Sequence, residues 1–272
     1  MIQSDAGEFL ISCCNQQGGL YKLTLSEKKY EAKKVLDFEC RGIAKYGQNF
    51  LAASNSEGLF LLDKELKIIK QKSVNPQLDL HGAVVKGDYA FIVETGTNSI
   101  GVYDLDKLDK VDEFSFSPFK DRDICHVNDL CLYDDRLLVS MFYYPDDKAA
   151  DGAIVEVSLK ERKVSAALFK SLKQPHSVVI QNSDVYYCIS EGFQVFRNDK
   201  PIFKGMGYTR GLAIFNNTVV IGQSKTRNLT NLLKIHQNIL YECGVYIFNM
   251  ETRLTTFIPI PSEEIYGVLP IT

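Results

Sequence analysis

Tryptophan is missing from all 272 residues, although the chain carries 14 Tyr and 16 Phe. Repeat phrases built on a Trp-Asp dipeptide are therefore excluded. Paired cysteines are missing as well. Cys13, Cys14, Cys40, Cys125, Cys131, Cys188 and Cys243 are odd in number, and no two form a CxxC, so neither a zinc knuckle nor a redox dithiol is encoded. Most lie in apolar strand-like runs, as in Tyr186-Tyr187-Cys188-Ile189, and read as buried free thiols of a reducing compartment. Adjacent Cys13 and Cys14 would face opposite sides of a strand and so not pair with each other. No apolar run approaches the ~18 residues that span a bilayer. The opening Met1–Glu8 has neither a basic nor an apolar leader segment, so the expected location is cytoplasmic, without membrane contact. Charge of neither sign dominates: 31 Lys and Arg face 34 Asp and Glu, for a net −3 and a pI of about 5.9. That balance gives no global drive toward nucleic acid. The 45% hydrophobic content excludes a largely disordered chain.

What is present is a repeat. One phrase recurs: a polar residue, a small residue, a short apolar run, a polar turn, and a second apolar run. It reads Arg41-Gly42-Ile43-Ala44 before the turn Gly47-Gln48-Asn49, and His81-Gly82-Ala83-Val84 before Gly87-Asp88. Asn128-Asp129-Leu130, His176-Ser177-Val178 and Arg210-Gly211-Leu212 open three further copies. Asn, Asp and Gly tolerate the positive φ of tight hairpin turns. A glycine then opens a third alternating run in each unit, as in Gly101-Val102-Tyr103 and Gly244-Val245-Tyr246, and a fourth run usually follows. The sixth copy is split. Its first strand is Tyr266-Gly267-Val268-Leu269-Pro270-Ile271, and its remainder is Phe9–Cys13 with Gly19–Leu23. Six units of about 45 residues fit four-stranded blades. The expected fold is thus an all-β, six-bladed β-propeller over 1–272, its last blade closed by N- and C-terminal strands. A β-sandwich with coincidental turn spacing would give no reason for a polar marker to recur six times.

In such a ring the first strand of each blade lines the axis. Arg41, His81, Asn128, His176, Arg210 and Tyr266 should therefore circle one mouth of the channel. Second-strand ends should approach the same mouth: Asn15, Ser54, Asn55, Glu94, Ser140, Ser190, Glu191, Gln223, Ser224 and Lys225. With Arg41, Arg210, Lys225 and nearby Arg227, this mouth leans positive in contrast to the whole chain. Convergent donors in a concave site favour an anionic or sugar-like small molecule. Ligand contacts are assigned to Arg41, Asn128, Arg210, Tyr266, Glu94, Glu191 and Lys225. His81 and His176 are the candidates for general acid–base catalysis, as in a hydrolase or lyase. A ring of polar residues filled with ordered water is the plain alternative. A divalent metal on His81, His176, Glu94 and Glu191 is conceivable, but no HxH or HxxxH supports it, and no metal ligand is assigned. No GxSxG elbow marks a nucleophile. Two insertions should border the mouth. Phe142–Asp151 carries Tyr143-Tyr144-Pro145, and 225–242 reads partly helical, capped by Thr226 or Asn228 and carrying His236. The second could serve a non-enzymatic scaffold as a docking site for a protein partner.

Blade two, Ala90–Asp104, resembles repeats of YVTN/NHL-type propellers. Gln174-Pro175-His176-Ser177, Tyr208–Ala213 and Ile221–Arg227 are similar to an uncharacterised family of bacterial propeller proteins. That resemblance implies the fold and no mechanism. Gluconolactonase-type propellers are a remoter likeness and imply a channel cation held by Glu, Asn and Asp. Asn128 would be a counterpart, whereas His81, His176, Arg41 and Arg210 depart from that ligand set.

Overall fold

The computed structural model describes residues 6–15, 17–26, 29–145, 151–225 and 238–271. Six four-stranded antiparallel sheets stand around a central axis, giving a six-bladed β-propeller. The inner strands are Ile43–Tyr46, Leu80–Lys86, Val127–Tyr133, Pro175–Gln181, Tyr208–Phe215 and Glu264–Pro270, for blades one to six in that order. Blade six is sewn from both ends of the chain. Its inner strand Glu264–Pro270 pairs antiparallel with Gly7–Cys14, with Ile11 opposite Val268. Gly19–Leu25 and Tyr30–Leu36 complete that sheet. The splice leaves the ring with no open inner edge.

Strand alternation explains why six small cores suffice. Along Gly7–Cys14, Phe9 and Ile11 face blade five while Leu10 faces blade one. Likewise Tyr186 and Cys188 pack toward blade five, and Tyr187 and Ile189 toward blade three. One apolar cluster therefore fills each of the six interfaces between blades. Each fully buried Leu, Ile or Phe contributes about 1.5–3 kcal/mol, and aliphatic side chains with Phe and Tyr fill these wedges without tryptophan. All seven cysteines are free thiols, six of them buried. Cys13 belongs to the cluster between blades five and six, while Cys14 turns toward the axis. Among the described residues no helix is long and apolar enough to cross a membrane.

The small residue of the repeat has a packing origin. Gly42, Gly82, Gly211 and Gly267, with Asp129 and Ser177, sit where the six inner strands come together. A Cβ on Gly42 would run into the carbonyl oxygen of His81, and one on Gly82 into Asp129. Just there, the strand pairing slips in blades two to six, at Leu80/Ala83, Val127/Asp129, His176/Val179, Thr209/Leu212 and Ser12/Cys13. Such bulges re-aim the neighbouring side chains, and they do so at the rim of the channel.

Hydroxyls at or just beyond the ends of the second strands stitch four of the six blades to the next. Ser12 Oγ donates to the Arg41 carbonyl at 2.6 Å, Thr95 Oγ1 to Val127 at 2.5 Å, Ser190 Oγ to Thr209 at 2.6 Å, and Ser224 Oγ to Ile265 at 3.2 Å.

Candidate functional site

The channel is two cups back to back. Tyr266 reaches from blade six across the axis, and its hydroxyl donates to the backbone carbonyl of Asn128 on blade three, opposite. On one side of this bar lies an apolar recess of about 420 Å³, walled by side chains such as Val84, Val179, Leu212 and Val268. On the other lies a polar cavity of about 480 Å³.

An almost continuous belt of rings lines the polar cavity. Tyr266 meets His81 edge-on with centroids 5.4 Å apart, and His81 meets His126 at 5.8 Å. His126 lies 4.4 Å from Phe142, Phe142 4.8 Å from His176, and His176 5.7 Å from Tyr208. Arg210, two residues beyond Tyr208 on the same strand, closes the circle by stacking its guanidinium 4.1 Å over the Tyr266 ring.

The two arginines differ in what holds them. Arg41 is compensated: its Nη1 is 2.6 Å from Asp79 Oδ1 and its Nε 3.3 Å from Glu39 Oε2. Burial works against the Arg41 charge, but Asp79 and Glu39 outweigh it and raise its pKa. Arg210 has a long contact to Glu264, with Nη1 at 3.8 Å from Oε2. Its Nε is buried with no hydrogen-bond partner among the described residues. Buried guanidinium donors are normally satisfied, so this one stands out.

The histidines are set in defined tautomers by their neighbours. His81 Nδ1 lies 2.8 Å from the Asp79 carbonyl, which can only accept, so Nδ1 carries the proton. Arg41 Nη1 lies against the ring, 3.1 Å from Nδ1 and 3.4 Å from Nε2. Burial, followed by Arg41 and Arg210, lowers the His81 pKa well below the ordinary imidazole value, so the ring is neutral. For His176, Nδ1 is 2.7 Å from Ser190 Oγ, whose single proton already goes to Thr209. Nδ1 therefore donates, and the lone pair of the ring sits on Nε2. His126 is bound through Nδ1 to Asp123 Oδ2 at 2.5 Å.

Of the residues expected at the mouth, Arg41, His81, His176, Glu191, Arg210 and Lys225 line the polar cavity, while Tyr266 packs against His81 and Arg210 and lines the apolar recess on the other side. Glu94 and Asn128 do not reach it. The Glu94 carboxylate is fully buried inside blade two, accepting from Tyr103 Oη at 2.6 Å, Ser99 Oγ at 2.9 Å and Lys110 Nζ at 2.8 Å. Asn128 turns into blade three, where Ser140 Oγ donates to its Oδ1 at 2.8 Å. Among the second-strand ends, Asn15 and Ser224 line the cavity; Ser54, Ser140, Ser190 and Gln223 are taken up in hydrogen bonds within and between blades. Among the described residues, no three His, Cys, Asp or Glu side chains gather as a metal-holding group. With Glu94 committed to Tyr103 and Lys110, the His81, His176, Glu94 and Glu191 set is not assembled. Thr226, Arg227, Asn228 and His236 lie outside the described residues, as does the stretch 146–150 of the other insertion.

The mouth is also less positive than its markers imply. Arg41, Arg210 and Lys225 are matched by Asp79, Glu191 and Glu264. Two of these acids, Asp79 and Glu264, come from positions two residues before the markers: Glu39, Asp79, His126, Gln174, Tyr208 and Glu264 precede Arg41, His81, Asn128, His176, Arg210 and Tyr266. Tyr208 and Glu264 open the inner strands that carry their markers, and Asp79, His126 and Gln174 sit just ahead of theirs with left-handed backbone, so the residue two before each marker was the available signal for much of the rest of the site. Phe142, the first residue of an insertion expected to border the mouth, also lines the cavity; nothing comparable in the sequence points to Cys14 or Phe193, which line it too.

These features define a six-bladed propeller with a blind polar cup at one end of its axis. The chain belongs to the family described as a domain of unknown function, DUF4915, whose model matches residues 40–272. No curated protein matches the sequence at a significant level. Among solved structures, the chain is similar to one from a nidogen/laminin complex, with 13% identity, TM-score 0.70, and coverage of 97% of this chain and 98% of that one. It is also similar to a protein of unknown function from Bacteroides caccae, with 12% identity, TM-score 0.69 and the same coverage. A chain of Kuenenia stuttgartiensis hydrazine synthase is more distant, with 12% identity, TM-score 0.52, and coverage of 96% of this chain and 98% of that one. At such identities the likeness is one of fold.

Proposed function

We propose that the polar cup binds a small molecule bearing an anionic group and a compact sugar-like or ring-shaped body. The observation that carries this reading is Arg210, a guanidinium stacked on Tyr266 with a buried Nε that has no partner among the described residues. A carboxylate or phosphate oxygen would supply that partner with a charge-assisted bond. The cavity volume of about 480 Å³ suits a ligand of metabolite size, and the ring belt offers flat apolar faces for its body. If the bound molecule is also transformed, as by a hydrolase or lyase, His81 and His176, which both line the cup, are the groups to move a proton.

Calorimetry of the full chain against sugar acids, sugar phosphates and lactones tests the reading. Arg210→Ala should weaken any detected anion at least 10-fold and His176→Ala measurably. Arg136→Ala, on an exposed outer position, should leave the affinity unchanged. If no anion binds, or if Arg210→Ala binds as the wild type does, the reading is wrong.

A further inference from the structure

The charged groups of the cup are not all committed. Asp79 is taken by Arg41 at 2.6 Å, and Glu264 accepts from Cys14 Sγ at 3.3 Å and lies 3.8 Å from Arg210. Lys225 lies 3.8 Å from Glu263. Two charges are left over. One is the Arg210 Nε edge, buried and without a partner among the described residues. The other is Glu191, a cavity-lining carboxylate that makes no hydrogen bond or ion pair among the described residues. They belong to adjacent blades and are placed by one interaction. Ser190 donates to the Thr209 carbonyl at 2.6 Å, and Glu191 and Arg210 are the next residues along their chains. Even so, the two do not pair with each other within 4.0 Å.

Uncommitted charges of opposite sign at one rim are complementary to a ligand that carries both signs. We infer that the ligand is a small zwitterion: its anionic group on Arg210, its ammonium on Glu191, and its ring or flat body against Phe142, His176 and Tyr208. This rests on the proposed anion site and narrows its ligand class from anions in general to amino-bearing anions, such as amino sugar phosphates or aromatic amino acids. The balanced lining agrees with it. An anion alone would leave Glu191 facing it uncompensated, whereas an ammonium turns Glu191 from a repulsive neighbour into a contact.

Matched probe pairs read this directly by calorimetry on the full chain. Glucosamine 6-phosphate is compared with glucose 6-phosphate, and phenylalanine with phenyllactate, in wild type and in Glu191→Gln, a change at an exposed position that the fold tolerates. The amine-bearing member of whichever pair binds should be preferred at least 10-fold by wild type. Glu191→Gln should reduce that ratio to about one, while leaving the amine-free member bound as tightly or slightly more tightly. Equal binding of both members to wild type overturns the zwitterion while leaving the anion site standing, as does a preference that survives Glu191→Gln. If no probe of either pair binds, both readings fall together.

Discussion

Asp129 occupies a position in blade three where blades one, two, five and six have glycine and blade four has Ser177. It therefore sets a carboxylate into the narrowest part of the ring, at the bottom of the apolar recess. Its Oδ1 accepts from the Leu130 amide at 2.9 Å. Ser177, Arg210 and the ring of Tyr266 are its other polar neighbours. Burial is the largest influence and outweighs the Leu130 amide, Arg210 and Ser177, so its pKa is pushed from 3.8 up to about 7. A carboxyl whose folded pKa is raised holds its proton more tightly when folded. Its stabilising contribution is complete below about pH 4 and is lost as pH rises through 7. Raising the pKa from 3.8 to about 7 corresponds to roughly 4 kcal/mol between those limits, of which about 3 kcal/mol falls between pH 5 and pH 8. Asp129→Asn keeps the shape and the acceptor for Leu130 but cannot ionise. The variant should match wild type near pH 4 and exceed it progressively above. The assay is the difference between wild-type and variant melting curves from pH 4 to pH 8.5, which cancels every other titrating group. At about 2 °C per kcal/mol for a domain of this size, the gap should widen by roughly 6 °C from pH 5 to pH 8. A difference that stays flat across that range would refute the burial of an ionising carboxyl at this position.

Tyr266→Phe removes the hydroxyl that bridges blade six to the Asn128 carbonyl and leaves that carbonyl without its donor. Denaturant unfolding should show a loss of about 1–3 kcal/mol, with the slope unchanged. Gly42→Ala forces a methyl into the carbonyl of His81, where the neighbouring inner strand cannot retreat, and should cost roughly 2 kcal/mol or more. Gly87→Asn, at φ 58 with nothing within 4 Å, should stay within about 0.5 kcal/mol in the same titration.

How far the sequence discloses this molecule depends on whether a feature repeats locally. The blade phrase is local, since turn chemistry and alternation are written within about 20 residues of one another, and six imperfect copies average out their noise. The split sixth blade follows because Tyr266–Ile271 lacks its partners downstream and Phe9–Cys13 lacks one upstream. The site is only partly local. Arg210 and His176 are legible because they occupy the marker position, and the residues two positions earlier recur at the same offset ahead of each marker. Glu94 occupies the equivalent end of a second strand, yet Tyr103, Ser99 and Lys110 capture it from across the blade. Asn128 is drawn inward by Ser140. Where a polar side chain finds its partner is a property of the sheet register, and no marker phrase contains it.

The same distinction explains why the polar end of the axis acts as a cup and not merely as a wet channel. A ring of six inner strands alone encloses an open tube, through which solvent satisfies every inward polar group. Tyr266 breaks the tube by crossing to the opposite blade, and the glycines at the waist let the strands come close enough for one tyrosine to span the gap. Once the tube is blind, Arg210 lies flat on the bar at 4.1 Å, and its guanidinium plane is fixed by that stacking instead of by a carboxylate. Arg41 has its edge consumed by Asp79 and Glu39, whereas Arg210 Nε has no hydrogen-bond partner among the described residues, and this contrast is why the proposed anion contact is placed on blade five.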